Sequence, residues 1–549
     1  MESFVLSPTN APSNVRAVAV PTPAVRTSGV VSASSSSTRS SCLSLSAAAF
    51  CSSAAVACLV SSSRRLRSRQ QRWRKSPVAS VSTQVGVARA AVTAEKWFQQ
   101  CEEALKEGTR FDEALAQRGK AILEDASVPA PAKRQEPWRY TDLKALFETE
   151  DESASSSVEP TDEAMKALLD DFEAEDGGAT WWQLVFVDGV FSEAWSRLPD
   201  AEDAPLVAST TSLKDGSGEK QRVSKLLEEL PEVDVFMPEQ RGSMGSAKFA
   251  ALNQAVFNDC ACIVCPSADA SASPTNAQVV YVSTGNGRAI TSPRVVVDAG
   301  AGSQLNLVEL HLSSEKQDTS FSNGLVRVVL EEGAKVSHTL LQQKSEDSRF
   351  VQTVTSEVAN NASYDLQVLQ SGARVSRVNA SVELQGESSA CDVSGVTVAA
   401  AQQQLDLHTL IHHRVPGCNS NQRQRNIAGG NGECIFKGAI CVDKVAQQTE
   451  SSQICRSLLL SKKSQVKAMP CLQIQADDVS CSHGATISEL DPQEVFYLTS
   501  RGLDPKQARN LLLMAYPQDI VASVKSRTPK GYQRLLDKLG ALADEATAA

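Results

Sequence analysis

The chain has 549 residues, 42% hydrophobic and 21% charged, with a net charge of −10: enough for a substantial core and too long for one ordinary domain. The charge is unevenly spread. Residues 1–94 carry 11 Lys and Arg against the single acid Glu2, so this segment is about +10 and the remainder, by difference, about −20. An acidic body of that kind excludes general phosphate-backbone binding to nucleic acid and attachment to an anionic membrane through a basic face.

Residues 1–94 are rich in Ser, Ala, Val and Thr and interrupted by Pro, a composition that reads as a disordered targeting leader to be set apart from the fold. Within it, Leu43 to Val60 is an apolar run followed by basic residues from Arg64 to Lys75. It reads as a plastid-type transit peptide, as a two-part leader with an internal signal-like segment, or as a retained anchor; cleavage is expected between Lys75 and Glu95. No stable membrane insertion is expected after processing.

Residues 95–148 show helical spacing of Trp97, Cys101, Ala104 and Leu105, then Phe111, Leu115 and Ile122, broken at 127–131. Residues 149–178 are acidic and Ser-rich and read as a linker or insertion, with a short amphipathic stretch at Ala164 to Phe172. A mixed α/β region over 179–275 opens with a strand-like run near Trp182 to Val187. Over 276–487, β-branched runs such as Val279 to Val282 and Leu325 to Leu330 alternate with short turns, predicting many strands without intervening helices. A weak repeat, Gly302-Ser303-Gln304-Leu305, Gly333-Ala334-Lys335-Val336 and Gly372-Ala373-Arg374-Val375, favours a solenoid, above all a parallel β-helix, over a large sandwich. From 488 to 549 the chain reads as helical again. Asp491-Pro492-Gln493-Glu494 and Asp504-Pro505-Lys506-Gln507 each offer an N-cap, a first-position proline and a residue placed to close a capping box. Gly502 is expected to end the first helix, and Ala508, Leu511, Leu512 and Ala515 to form the apolar stripe of the second.

The 14 cysteines are scattered; three lie in the leader, and Cys260, Cys262 and Cys265 form the one tight group, in an apolar run. They read as buried thiols rather than a zinc site. Cys391, Cys434, Cys441 and Cys455 are expected in the core, and His408, His412 and His413 as packed structural residues of a strand. Gly429 to Gly432 is a turn with no phosphate-loop Lys-Ser/Thr after it, and the chain holds no Walker motif and no nucleophile elbow.

Ala476-Asp477-Asp478-Val479-Ser480-Cys481-Ser482-His483-Gly484-Ala485-Thr486, with Phe496 to Gly502, resembles the C-terminal signature of the SufB/SufD family. Phe436 to Ile440, Ala446 to Thr449, Leu458 to Ser461 and Pro137-Trp138-Arg139-Tyr140-Thr141-Asp142-Leu143 resemble the same family. Gly-Ala after His483 and Leu after Phe496-Tyr497 resemble the SufD branch. The resemblance implies a mainly β fold, a right-handed parallel β-helix core with helical ends, acting in the plastid stroma as a non-enzymatic subunit in iron–sulfur cluster assembly. It implies a heterodimer with a SufB-type subunit through adjoining β-helices. It also implies a SufC-type ATPase docked on the C-terminal helices at Phe496, Tyr497, Arg501, Gly502, Leu511 and Leu512, and a transient cluster at the subunit interface with His483 and Cys481 as candidate ligands. Asp477 and Asp478 are placed to orient them. Two other readings stand beside it: a SufB-like scaffold accepting sulfur on an exposed Cys418 or Cys434, and a β-helix polysaccharide-active enzyme built around Asp477 and Asp478.

Overall fold

Between Thr275 and Ser488, successive strands fall alternately on two parallel sheets. The structure, a computed structural model, describes residues 94–101, 113–125, 127–147, 160–169, 180–199, 205–213, 217–228, 244–269, 272–285, 290–315 and 317–548. The leader expected over residues 1–94, with its apolar run and basic cluster, lies outside them but for Ala94, as do Ala104, Leu105 and Phe111.

The first sheet runs from Trp181–Val187 through Thr275–Ser283, Gln304–Ser313, Lys335–Gln343, Ser363–Gln370, Ala390–Ala399, Asn419–Ala428 and Thr449–Leu459 to Val479–Ser488. The second runs from Ala261–Cys265 through Arg294–Ala299, Phe321–Leu330, Arg349–Val358, Val375–Leu384, Gln404–His413 and Glu433–Val442 to Gln465–Ile474. Ser363 pairs with Ala390, Ala390 with Asn419 and Asn419 with Glu450, so the chain returns to this column after 27 to 31 residues. This is a parallel β-helix whose two sheets face each other across one core. Val279, Leu307, Val336, Leu366 and Val393 from one sheet meet Val297, Val328, Val354, Val382, Ile411 and Ile440 from the other. Each such side chain, fully buried, contributes about 1.5–3 kcal/mol.

The corners explain the repeat, and also correct it. Where the chain passes from the second sheet to the first, six successive corners each hold one residue of positive φ: Gly302, Gly333, Asn361, Ser388, Gly417 and Gln448. These corners stack through backbone hydrogen bonds such as Gly302 N–H to Glu332 O and Gly333 N–H to Asn360 O. Only some positions need glycine: a Cβ on Gly302 would lie 2.2 Å from the Ala268 carbonyl oxygen. The third sequence copy, Gly372-Ala373, belongs to the opposite corner, where Ala373 takes the positive φ.

Helices cover the outer faces. Trp97, Phe98, Trp138, Phe249 and Leu252 pack on Phe321, Val351 and Val375 of the second sheet. Ile520, Val521, Leu535, Leu539 and Leu542 pack on Val308, Leu310, Leu341, Val396 and Ile427 of the first. The same cluster includes Met165 and Leu169, from the helix Asp162–Leu168 and its C-cap. Lys530 Nζ donates to the Lys166 carbonyl and Arg534 to that of Leu168. Within the acidic linker or insertion, the short amphipathic stretch is thus a seven-residue helix, seated beside the long C-terminal helix by Met165 and Leu169.

At the C-terminal end, Asp504 forms a full capping box with Gln507, whereas Asp491 caps only the Gln493 N–H. Gly502, φ +100°, follows the C-cap Arg501. The expected stripe of the helix Pro505–Ala515 is turned: Ala508 and Leu513 are buried, Leu512 is half-buried, and Leu511 and Ala515 are exposed. The shift arises because the partner face is set by the Pro529–Ala548 helix, not by the stripe's own centre.

Candidate functional site at the open end of the β-helix

Val479–Ser488 and Gln465–Ile474 are the last strands of their sheets, and each pairs on one edge only. Register fixes what faces inward there. Tyr364 pairs with Cys391, Cys391 with Ser420, Ser420 with Ser451, and Ser451 with Cys481. The parallel column runs Leu366, Val393, Gln422, Gln453, His483. Cys481 packs against the central core, and His483, two residues on, shares its face. The side chains that would be buried one coil earlier are uncovered because no coil follows: Cys481 is half-buried and His483 exposed.

The chain's other histidines are occupied. His311 Nε2 lies 2.8 Å from Glu309 Oε1 and His338 Nε2 lies 3.2 Å from Glu309 Oε2. His408 lies 2.9 Å from Asp406, His412 Nε2 lies 3.0 Å from Asp443, and His413 Nε2 lies 2.9 Å from Ser420 Oγ. The expected packing role of His408, His412 and His413 is what the geometry gives them. Among the described residues His483 is the one histidine with neither burial nor a side-chain partner.

The cysteines sort in the same way. Cys260, Cys262, Cys265, Cys391, Cys418, Cys434 and Cys455 are buried; Cys441, Cys471 and Cys481 are half-buried. Cys441 departs from expectation because its side chain points to the outer face, where its sulfur lies 3.8 Å from Gln473 Oε1. Cys418 and Cys434, the thiols a self-contained sulfur acceptor would have to expose, are fully buried. Burial pushes the Cys481 thiol upward, so neighbouring positive charge or a metal is needed to hold it as thiolate.

Asp477 and Asp478 are exposed, and the backbone of Asp478 is engaged in the corner, its N–H donating to Gln447 Oε1 at 2.8 Å. Among the described residues no carboxylate hydrogen bond links them to Cys481 or His483, and no group of three or more His, Cys, Asp or Glu is placed to hold a metal ion. The open end thus places one thiol and one imidazole side by side, two side chains of types able to ligate a metal.

Beside it, the helix Pro492–Ser500 has no buried residue. Phe496 is 72% exposed, Tyr497 57% and Leu511 52%, and the Arg501 guanidinium lies 5.2 Å from the Tyr497 ring. A cavity of about 810 Å³ runs between this helix and the corners at Gly430–Asn431 and 459–463, lined by Lys462, Lys463 and Arg509 with Leu460, Leu490 and Val495. Phe496 and Tyr497 on this helix and Leu511 on the next, Pro505–Ala515, are thus large apolar side chains left open to solvent. Among the described residues no helix is long and apolar enough to cross a membrane.

Comparison with known proteins is consistent along the chain. Residues 281–516 match the SufBD core domain of the SUF system for FeS cluster assembly. An iron–sulfur cluster assembly SufBD family protein of Synechocystis is 29% identical over 79% of this chain and 92% of its own length. The chloroplastic protein ABCI7 of Arabidopsis thaliana is 26% identical over 82% and 92%, and the iron–sulfur cluster assembly protein SufD of Escherichia coli is 24% identical over 79% and 93%. The β-helix core, its matched domain and the near full-length likeness together make this chain a member of the SufB/SufD family of iron–sulfur cluster assembly proteins.

Proposed function

We propose that the chain is a SufD-type scaffold subunit, without catalytic activity of its own, that holds one side of a nascent iron–sulfur cluster. The observation that carries this reading is the placement of Cys481 and His483 on the inward face of the last coil, where the β-helix is open. A second β-helix of SufB type adding its strands to the free edges would cover the exposed Ile474 and Ile487 and bring the missing ligands opposite these two. A thiolate and a neutral imidazole form an asymmetric ligand set, suited to a cluster that is released after assembly. The cluster is cargo in this reading, not a resident cofactor.

Phe496, Tyr497, Arg501, Gly502, Leu511 and Leu512 form the docking surface for a SufC-type ATPase, which supplies the nucleotide chemistry the chain lacks. The buried Cys418 and Cys434 favour the SufD branch over a SufB-like sulfur acceptor. A chloroplastic relative and the basic, acid-poor leader support action in the plastid stroma after cleavage.

The test is co-expression of residues 95–549 with SufB-type and SufC-type partners, followed by anaerobic reconstitution. A three-component complex whose cluster yield falls in His483→Ala supports the reading; no complex, or an unaffected yield, refutes it.

A further inference from the structure

Gly438, within the Phe436 to Ile440 segment, faces inward from the second sheet, and its missing side chain makes room for two glutamines of the first. A Cβ there would lie 2.8 Å from Gln422 Oε1 and closer still to Gln453 Nε2. The two glutamines are in register on adjacent coils, and their amides form a ladder with one direction. Gln422 Nε2 donates to Thr409 Oγ1, and Gln453 Nε2 donates to Gln422 Oε1. The ladder stops there. Gln453 is fully buried, yet its Oε1 has no hydrogen-bond partner among the described residues. An orphaned buried acceptor costs about 1–3 kcal/mol, and this one lies in the coil directly beneath the open end.

The next rung is His483. It is the register partner of Gln453 in the last strand, and neighbouring strands lie about 4.8 Å apart, so the two side chains adjoin on one inward face. Gln453 lacks a donor, and a neutral imidazole carries one N–H and one bare nitrogen. A bond from His483 to Gln453 Oε1 continues the ladder in its own direction, each coil donating to the one before it. The neighbouring column, which ends at Cys481, is also joined from coil to coil, with Ser420 Oγ and Ser451 Oγ 2.7 Å apart. Asp477 and Asp478, expected to orient the two ligands, are exposed and make no described hydrogen bond to His483.

We infer that Gln453 is the positioning residue for His483: once a second β-helix covers the open end, one ring N–H of His483 donates to Gln453 Oε1, leaving the other ring nitrogen bare for the cluster. A metal-ligating histidine commonly donates its second N–H to a carbonyl, which fixes its tautomer and ring orientation. Gln453 supplies that carbonyl, Gln422 and Thr409 hold its amide, and Gly438 clears the space for it. His483 reaches it by a change of rotamer, which is free for an exposed side chain. The role of Gln453 rests on the scaffold reading, because the ring turns inward only when a partner covers the last coil.

The test is magic-angle-spinning NMR on the cluster-free complex with SufB-type and SufC-type partners, in mildly alkaline buffer. Nitrogen-15 histidine and carbon-13 glutamine are introduced into this chain alone, and the His483 signals are identified by their loss in His483→Gln. In the wild type a His483 ring nitrogen should couple to a glutamine side-chain carbonyl carbon about 4 Å away, the span of a hydrogen bond and a C=O bond. The ring should also hold a single tautomer. In Gln453→Met the coupling should be lost and two tautomers should mix. A complex whose wild-type His483 shows no such coupling overturns the inference and leaves the scaffold reading standing; this arm needs no Gln453 variant to fold. A coupling that survives Gln453→Met comes from another glutamine and overturns it as well. If no complex forms, the scaffold reading fails and the role of Gln453 fails with it.

Discussion

The guanidinium of Arg377 lies 3.8 Å from the ring centre of Trp138, and this contact joins the N-terminal helical region to the β-helix. The same guanidinium donates to the Pro137 carbonyl at 2.8 Å and pairs with Asp406 at 3.0 Å, while Thr141 Oγ1 donates to Asp406 at 2.9 Å. The Pro137-Trp138-Arg139-Tyr140-Thr141 motif is thus a clamp on the second sheet. Trp138→Ala is expected to cost about 3–5 kcal/mol through lost packing. Arg377→Met is expected to cost about 3–5 kcal/mol, because Asp406 is left buried without its cation. Denaturant unfolding measures both; losses under about 1 kcal/mol would contradict the clamp.

Acid should weaken the fold in two stages. Burial, and then the neighbouring His412, push His413 down to about 4. The unfolded chain therefore binds a proton first, and stability present above the ordinary histidine range is lost as pH falls towards 4. Burial would raise Glu309, but hydrogen bonds from His311 and His338 outweigh it and hold the carboxyl at about 2. Its contribution is present above the ordinary glutamate value and disappears as pH falls towards 2. Replacing His413 by Gln should shrink the upper stage of a stability-against-pH curve without abolishing it, because burial also holds His408 below the ordinary histidine range. An unchanged upper stage would show that another group titrates there.

Much of this was legible in the sequence, and the exceptions have physical causes. The β-branched runs, the Asp504 capping box and the Gly502 terminus carry local signals, and they form as local physics dictates. Register does not. Gly302 and Gly333 stand at equivalent corners, but Asn361, Ser388 and Gln448 fill the same role without glycine, so the repeat fades along the chain. Leu511 looks like core by spacing and is exposed, because the long C-terminal helix takes the Ala508–Leu513 face. Cys481 and His483 were legible as a pair; that they lie where the solenoid ends depends on long-range pairing with Ser451 and Gln453.

The exposed side chains of the helices Pro492–Ser500 and Pro505–Ala515 give a separable prediction. Leu511→Asp and Tyr497→Ala should leave stability within about 0.5 kcal/mol, since both side chains face solvent. Each should weaken capture of the SufC-type ATPase, Tyr497→Ala at least about tenfold as expected of a central aromatic anchor and Leu511→Asp through the charge it places in an apolar contact. Isothermal titration with the purified ATPase measures this, and unchanged affinity in both variants would place docking elsewhere.

His483→Gln should likewise leave folding unchanged, because the exposed ring carries no structural contact among the described residues. Co-purification of the SufB-type partner through the strand edges should persist, and a variant that fails to assemble would make His483 an interface residue instead.

In the proposed assembly His483 coordinates the nascent cluster. This coordination is tested most directly by pulsed electron paramagnetic resonance on the reduced, cluster-loaded complex, with nitrogen-15 histidine introduced into this chain alone. A histidine nitrogen coupled to the cluster, lost in His483→Gln, is the predicted result. A spectrum without nitrogen coupling, or one that His483→Gln leaves unaltered, would contradict it.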